Sequence, residues 1–165
     1  MGKVLSLEDL RAARERLRRQ GKVFVFTNGC FDIVHRGHVE LLRKARSLGD
    51  ALAVGVNSDD SMRRLKGPRR PVTPQTDRAE VVAALGSVDF VTVFDEDTPG
   101  RLIAEVVPDV LVKGSDYALD EIVGRETVEA AGGRVVRIDL YGDYSTDGIF
   151  RRIAEVYRNG GASGK

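Results

Sequence analysis

The sequence is poor in the residues that staple a chain or cage a metal: one cysteine, Cys30, and two histidines, His35 and His38, in 165 residues. One cysteine forms no internal disulfide and no cysteine-rich metal site, and a reducing cytoplasm is its simplest setting. Zinc is disfavoured, because two histidines and one thiol do not define its ligand geometry. An excess of one charge is also lacking. Lys and Arg total 26 against 25 Asp and Glu, a formal net charge of +1, which argues against a nucleic-acid coat protein yet permits a local positive cleft. No apolar run approaches the ~20 residues of a membrane-spanning helix. The opening segment spreads Arg11, Arg14, Arg16, Arg18 and Arg19 through a helix-like pattern, unlike the apolar core of a signal peptide. A soluble, cytoplasmic protein with neither nucleic acid nor membrane as partner is expected.

What the chain does have is alternation. Val23 to Phe26 reads as an interior strand ending at the polar pair Asn28-Gly29, and Val39, Leu41, Leu42, Ala45 and Leu48 give a core face to a helix from about Gly37 to Leu48. Further strands are expected at 51–56, 89–94, 110–113 and 134–138, with helices near 75–85, 98–107 and 124–131. Pro108 marks a helix end. A charged N-terminal helix with a sparse stripe of Leu5, Leu10 and Leu17 precedes this unit. A final helix from Thr146 to Tyr157 carries Ile149, Ile153 and Val156 on one face. The pattern predicts an α/β, Rossmann-like, open and mostly parallel five-stranded sheet with helices on both faces. One domain over 1–158 and a fraying Gly/Ser-rich tail over 159–165 are expected. Right-handed crossovers gather the strand ends at one rim, where Asn28, His35, His38, Asn57 and Lys113 can meet.

The segment Thr27-Asn28-Gly29-Cys30-Phe31-Asp32-Ile33-Val34-His35-Arg36-Gly37-His38 sets two histidines on either side of a glycine at a helix entrance. Their donor nitrogens and the partly positive helix start suit a shared anion. With Arg78-Ala79-Glu80, Val112 to Tyr117 and Tyr144-Ser145-Thr146, this segment strongly resembles the cytidylyltransferase-like nucleotidyltransferases. From Lys22 to Ile153 the chain looks closer still to the stand-alone adenylyltransferase branch that makes ADP-heptose from D-glycero-β-D-manno-heptose 1-phosphate.

The resemblance implies ATP as a substrate accompanied by Mg²⁺, and a sugar 1-phosphate as acceptor. It assigns His35 and His38 to triphosphate binding and transition-state stabilisation, Lys113 to phosphate binding, and Ser145, Thr146 and Arg152 to the remaining phosphates, with Arg151 as a competitor for Arg152. Thr27, Asn28, Gly29, Phe31, Asn57, Arg78 and Gly114 complete the expected nucleotide site; no protein metal ligand is expected. Ser115 stands where the closest enzymes often have glycine, and Asp147 where many have a small hydroxyl residue.

Several residues keep plainer alternatives. Asn57-Ser58-Asp59 and Ser145-Thr146 are also good helix starts, and Asn28-Gly29 can simply turn the chain. Arg78 can be a surface residue and Cys30 a packing residue; Tyr117 can close over a ligand or be a core ring, and Gly67 to Pro71 can form a basic ligand-facing loop or a solvated turn. A CTP-dependent sugar-phosphate or polyol-phosphate cytidylyltransferase and a non-catalytic nucleotide-binding protein are the alternative functions. A homodimer is open.

Overall fold

The structure, a computed structural model, describes residues 2–139, 141–142 and 144–160. Its elements are β1 (Lys3–Val4), α1 (Leu7–Arg19), β2 (Phe24–Gly29), α2 (Arg36–Arg46), β3 (Ala51–Asn57), α3 (Asp59–Lys66), α4 (Gln75–Ala83), β4 (Phe90–Phe94), α5 (Gly100–Val106), β5 (Val110–Gly114), α6 (Arg125–Ala130), β6 (Arg134–Ile138) and α7 (Thr146–Gly160). Among the described residues, no helix is long and apolar enough to cross a membrane.

The sheet is parallel throughout, in the order β1-β4-β3-β2-β5-β6. The expectation of five strands is thus one short. Lys3 and Val4 pair with Phe90 and Val91, and the Leu5 N–H donates to Val91 O at 2.8 Å. Two residues are too few to show an alternating pattern, so the sequence merged them with the helix that follows. Ser6 opens α1, its Oγ accepting from the Asp9 N–H, and Leu5 still packs into the core from outside the helix.

Strand alternation divides the interior into two layers. Phe24 and Phe26 face α1 and α5 with Leu10, Leu102 and Ile103. Val25 shares the opposite layer with Leu42 of α2 and Val82 of α4. Every residue of β3 is buried, as a central parallel strand covered on both faces requires.

β2 does not stop at Phe26. Asn28 and Gly29 stay in register with Gly55 and Val56, which carries the first motif residues out on the rigid end of a strand. From β2 the chain builds outward through β3 and β4, then returns across the sheet to β5 and β6. The reversal point lies between β2 and β5, and their carboxyl ends flank the crevice where open α/β sheets bind ligands. α7 runs two residues into the expected tail, through Gly160; residues 161–165 of that tail lie outside the described residues.

Candidate active site

A cleft of about 570 Å³ opens at the carboxyl ends of β2, β3 and β5. Thr27, Asn28, Gly29, Phe31, His35, His38, Asn57, Lys113, Gly114, Ser145 and Thr146 all line it. The sheet therefore brings together eleven of the thirteen residues singled out as site candidates. Arg78 and Arg152 are not in its wall.

The histidines owe their placement to the entrance of α2. His35 is the extended N-cap residue and His38 lies in the first turn, so their rings stack with centroids 3.8 Å apart. The His35 backbone N–H donates to His38 Nδ1 at 3.4 Å. With Nδ1 accepting, neutral His38 carries its proton on Nε2. Burial, together with the neighbouring His35, pulls the His38 pKa down to about 4, and burial also lowers that of His35. Both rings are thus neutral donors near pH 7. Gly37 makes the stack feasible, because a Cβ there would sit 3.0 Å from His35 Nδ1 and 3.3 Å from the Tyr144 Cβ. Tyr144 continues the ring column 6.2 Å beyond His35, and Tyr141 follows it.

Phe31 turns the chain between β2 and α2 with a φ of 50°, a left-handed conformation uncommon outside glycine. The turn buries its ring 5.0 Å from that of His38. Asn28 and Lys113 meet across the β2–β5 crevice, where the Lys113 Nζ donates to Asn28 Oδ1. Burial lowers the Lys113 pKa to about 8 despite the opposing pull of Asp116. The ammonium is therefore charged at neutral pH yet poorly solvated, a condition an anionic ligand relieves.

The remaining candidates divide by what their polar atoms already touch. Thr27 Oγ1 donates to Val112 O at 3.0 Å and is spent on joining β2 to β5. Asn57 Nδ2 donates to Ser61 Oγ at 3.0 Å, while Ser58 caps α3 by accepting from the Ser61 N–H. Ser145 accepts from the Gly148 N–H at 3.0 Å, so it begins α7 and lines the cleft at once. Tyr117 is 48% exposed at the cleft wall, which excludes the core-packing alternative. Cys30 directs Sγ toward Asn57 Oδ1 at 3.8 Å, and burial raises its pKa, as suits a packing thiol rather than a nucleophile. Ser115 adopts no positive φ and donates its N–H to Ile138 O, so the expected glycine is not needed for backbone geometry.

Arg78 is neither a surface residue nor a cleft residue. It is 1% exposed and donates to Thr73 O, Cys30 O and Asp59 Oδ1 at 2.9, 2.6 and 2.7 Å. With all three nitrogens engaged, it braces the motif loop from behind. Arg152 lies on the exposed face of α7 outside the cleft wall, next to the equally exposed Arg151.

Arg70, in the basic loop from Gly67 to Pro71, lines the cleft with Lys66, which favours the ligand-facing alternative for that loop over the solvated turn. Its Nε donates to Asp32 Oδ2 at 2.6 Å, and the second Asp32 oxygen accepts the N–H groups of Val72 and Thr73. Asp32 is thereby held by three hydrogen bonds. The Gly67-Pro68-Arg69-Arg70-Pro71 composition marked a basic turn, but only the fold returns it to Asp32, 38 residues earlier.

A family profile described as Cytidylyltransferase-like matches residues 26–149. The Bifunctional protein HldE of Syntrophotalea carbinolica is 53% identical over 158 residues, covering 96% of this chain and 32% of that protein. The protein of the same name from Mesorhizobium japonicum is 57% identical over 136 residues, 82% of this chain and 27% of its own length. The chain thus spans about a quarter to a third of the length of these curated relatives. Among solved structures, the lipopolysaccharide core biosynthesis protein from Thermoplasma volcanium superposes with a TM-score of 0.63 at 32% identity, covering 73% of this chain and 99% of that one. Pantoate-beta-alanine ligase from Francisella tularensis shares only the fold, with a TM-score of 0.59 at 14% identity over 84% of this chain and 67% of its own. With the family profile spanning both histidines, Lys113 and the start of α7, this chain belongs to the cytidylyltransferase-like family.

Proposed function

We propose that the chain transfers AMP from ATP to D-glycero-β-D-manno-heptose 1-phosphate, forming ADP-heptose and pyrophosphate. The observation that carries nucleotidyl transfer is the convergence of His35, His38, Asn28, Lys113 and the Ser145-Thr146 helix start on one cleft at the sheet reversal point. The choice of ATP and a heptose phosphate rests on the resemblance from Lys22 to Ile153 and on the identity with the two bacterial HldE proteins.

In this reading, one phosphate oxygen of the acceptor attacks the α-phosphorus of ATP, and the bond from that phosphorus to the bridging oxygen of pyrophosphate breaks. The acceptor phosphate is already ionised, so no general base is required. The work is alignment and stabilisation of charge. His38 donates its Nε2–H to an α-phosphate oxygen, where charge grows most, and His35 steadies the ring pair and the triphosphate. The Lys113 ammonium draws the phosphate chain to the β2–β5 crevice, and Ser145 and Thr146 present the start of α7 to its remaining oxygens. Arg78 acts at one remove, by fixing the Cys30 carbonyl within the motif loop.

Magnesium would accompany ATP and offset part of the triphosphate charge. Among the described residues, no group of three His, Cys, Asp or Glu side chains could hold a metal ion. An ion accompanying ATP would be held by phosphates and water.

The test is incubation with MgATP or MgCTP and a panel of heptose 1-phosphate, other sugar phosphates and glycerol 3-phosphate, with products identified and pyrophosphate measured. ADP-heptose with stoichiometric pyrophosphate is expected. A CDP-linked product without a comparable ATP reaction would overturn the nucleotide assignment, and nucleotide binding with no pyrophosphate across the panel would indicate a binding protein.

A further inference from the structure

Asp147 replaces the small hydroxyl residue expected in the first turn of α7, and it lies in the cleft wall beside Ser145 and Thr146. An unpaired carboxylate there would oppose the positive helix start that a phosphate needs. Arg70 answers it. Its Nη1 donates to Asp147 Oδ1 at 3.0 Å, its Nε to Asp32 Oδ2 at 2.6 Å, and its guanidinium carbon lies 4.2 Å from the centroid of the Phe150 ring.

The two ends of this bridge differ in burial. The Asp32 side chain is 0% exposed, whereas that of Asp147 is 66% exposed. Asp32 belongs to the loop that joins β2 to α2, between Phe31 and His35. Asp147 and Phe150 belong to α7, which leaves Ile153, Val156 and Tyr157 exposed and so has little apolar anchorage along its second half.

We propose that Arg70, anchored on Asp32, latches the first turn of α7 through Asp147 and Phe150 and is a positioning residue for triphosphate binding. The guanidinium serves twice. It fixes Ser145 and Thr146 relative to the histidine loop, and, shared with Asp32, it offsets part of the Asp147 charge at the anion end of the helix. A planar fork is suited to this work, because it bridges two carboxylates while lying on a ring; a lysine ammonium offers no plane. The proposal rests on the reading of the cleft as a triphosphate site.

Arg70→Ala strands the buried Asp32 carboxylate and risks the fold, so Asp147→Asn and Arg70→Lys are the primary variants. Two quantities are measured on the full chain: hydrogen exchange at the Gly148 and Ile149 amides without ligand, and ATP affinity without acceptor. Asp147→Asn should speed exchange at both amides and weaken ATP binding about twofold to fivefold, the scale of one partly exposed ion pair. In turnover it should raise KM for ATP and leave kcat unchanged. Arg70→Lys should shift exchange and affinity in the same direction, and the double variant should be no weaker than Arg70→Lys alone.

Tighter ATP binding by Asp147→Asn, the result of simply deleting a repelling carboxylate, would overturn the proposal. So would unchanged exchange at Gly148 and Ile149, or effects that add in the double variant. The exchange arm needs no nucleotide and the binding arm needs no acceptor. Failure to form ADP-heptose therefore refutes the reaction reading separately, and a wild-type chain that binds no ATP refutes the triphosphate reading while exchange still reports on the bridge.

Discussion

Replacing Lys113 with methionine should stabilise the ligand-free protein while removing most of its affinity for a triphosphate. The ammonium is enclosed at the end of β5, and burial pulls its pKa from 10.5 to about 8. The folded chain therefore holds this proton less tightly than the unfolded chain. Between about pH 8 and 10.5 the unfolded state carries more protons, so stability rises with pH across that window; below it the folded protein bears the full penalty of a buried charge. At ~1.4 kcal/mol per pH unit, the ceiling on that penalty is about 3 kcal/mol. Losing the bond to Asn28 offsets ~1 kcal/mol of the gain. The net expectation is about 1–2 kcal/mol, a rise in Tm of roughly 2–8 °C for a chain of this size. Calorimetry at pH 7, with and without MgATP, measures both halves: the variant should melt higher alone and gain little from the nucleotide. ATP affinity of the wild type should also fall about tenfold per pH unit above pH 8, as the free ammonium loses its proton, whereas the methionine variant should show no such limb. A variant that melts below wild type without ligand, or that keeps the alkaline fall, would refute the argument that Lys113 is a strained cation awaiting an anion.

His38→Ala should lower the chemical rate more than MgATP affinity, as single-turnover kinetics can show, because its Nε2 donation strengthens with charge on the α-phosphate. Since folded His38 stays neutral down to about pH 4, its contribution to stability should be lost as pH falls from 6.5 toward 4, where the unfolded chain takes up the proton first; acid-side thermal melts read this directly. Gly37→Ala should cut the rate by about 10²-fold with the far-ultraviolet circular dichroism unchanged, because the new Cβ would press on the His35 ring and misplace the donors. Arg78→Met should cost about 3–5 kcal/mol in denaturant titration by leaving the Asp59 carboxylate without its buried partner. Arg152→Ala, on an exposed helix face, should stay within about 0.5 kcal/mol.

Periodicity made the body of the fold legible. The apolar runs at Phe24 to Phe26 and Ala51 to Val56 read as covered strands, and Pro108 punctuated the chain where a helix ends. The paired histidines were legible too, because spacing around Gly37 at a helix start is a local property. Local signals failed where pairing with a distant partner decides the outcome. Lys3 and Val4 became a strand only because β4 offers them an edge, and Asn28 and Gly29 remained extended because β3 holds their register. Arg78 and Arg152 are chemically alike in the sequence, and nothing local separates them. The fold encloses the first among the Thr73 and Cys30 carbonyls and Asp59, and it leaves the second in solvent.

The sequence by itself therefore determined the α/β class and the setting of two histidines around a glycine at the entrance of α2, since each follows from residue type and spacing along a few turns of chain. Only the tertiary structure decided which cations face the cleft. Charge, burial and the pKa of Lys113 depend on what the β2–β5 crevice encloses, and Arg70 pairs with Asp32, 38 residues before it, and with Asp147, 77 residues after it, only when the sheet has formed.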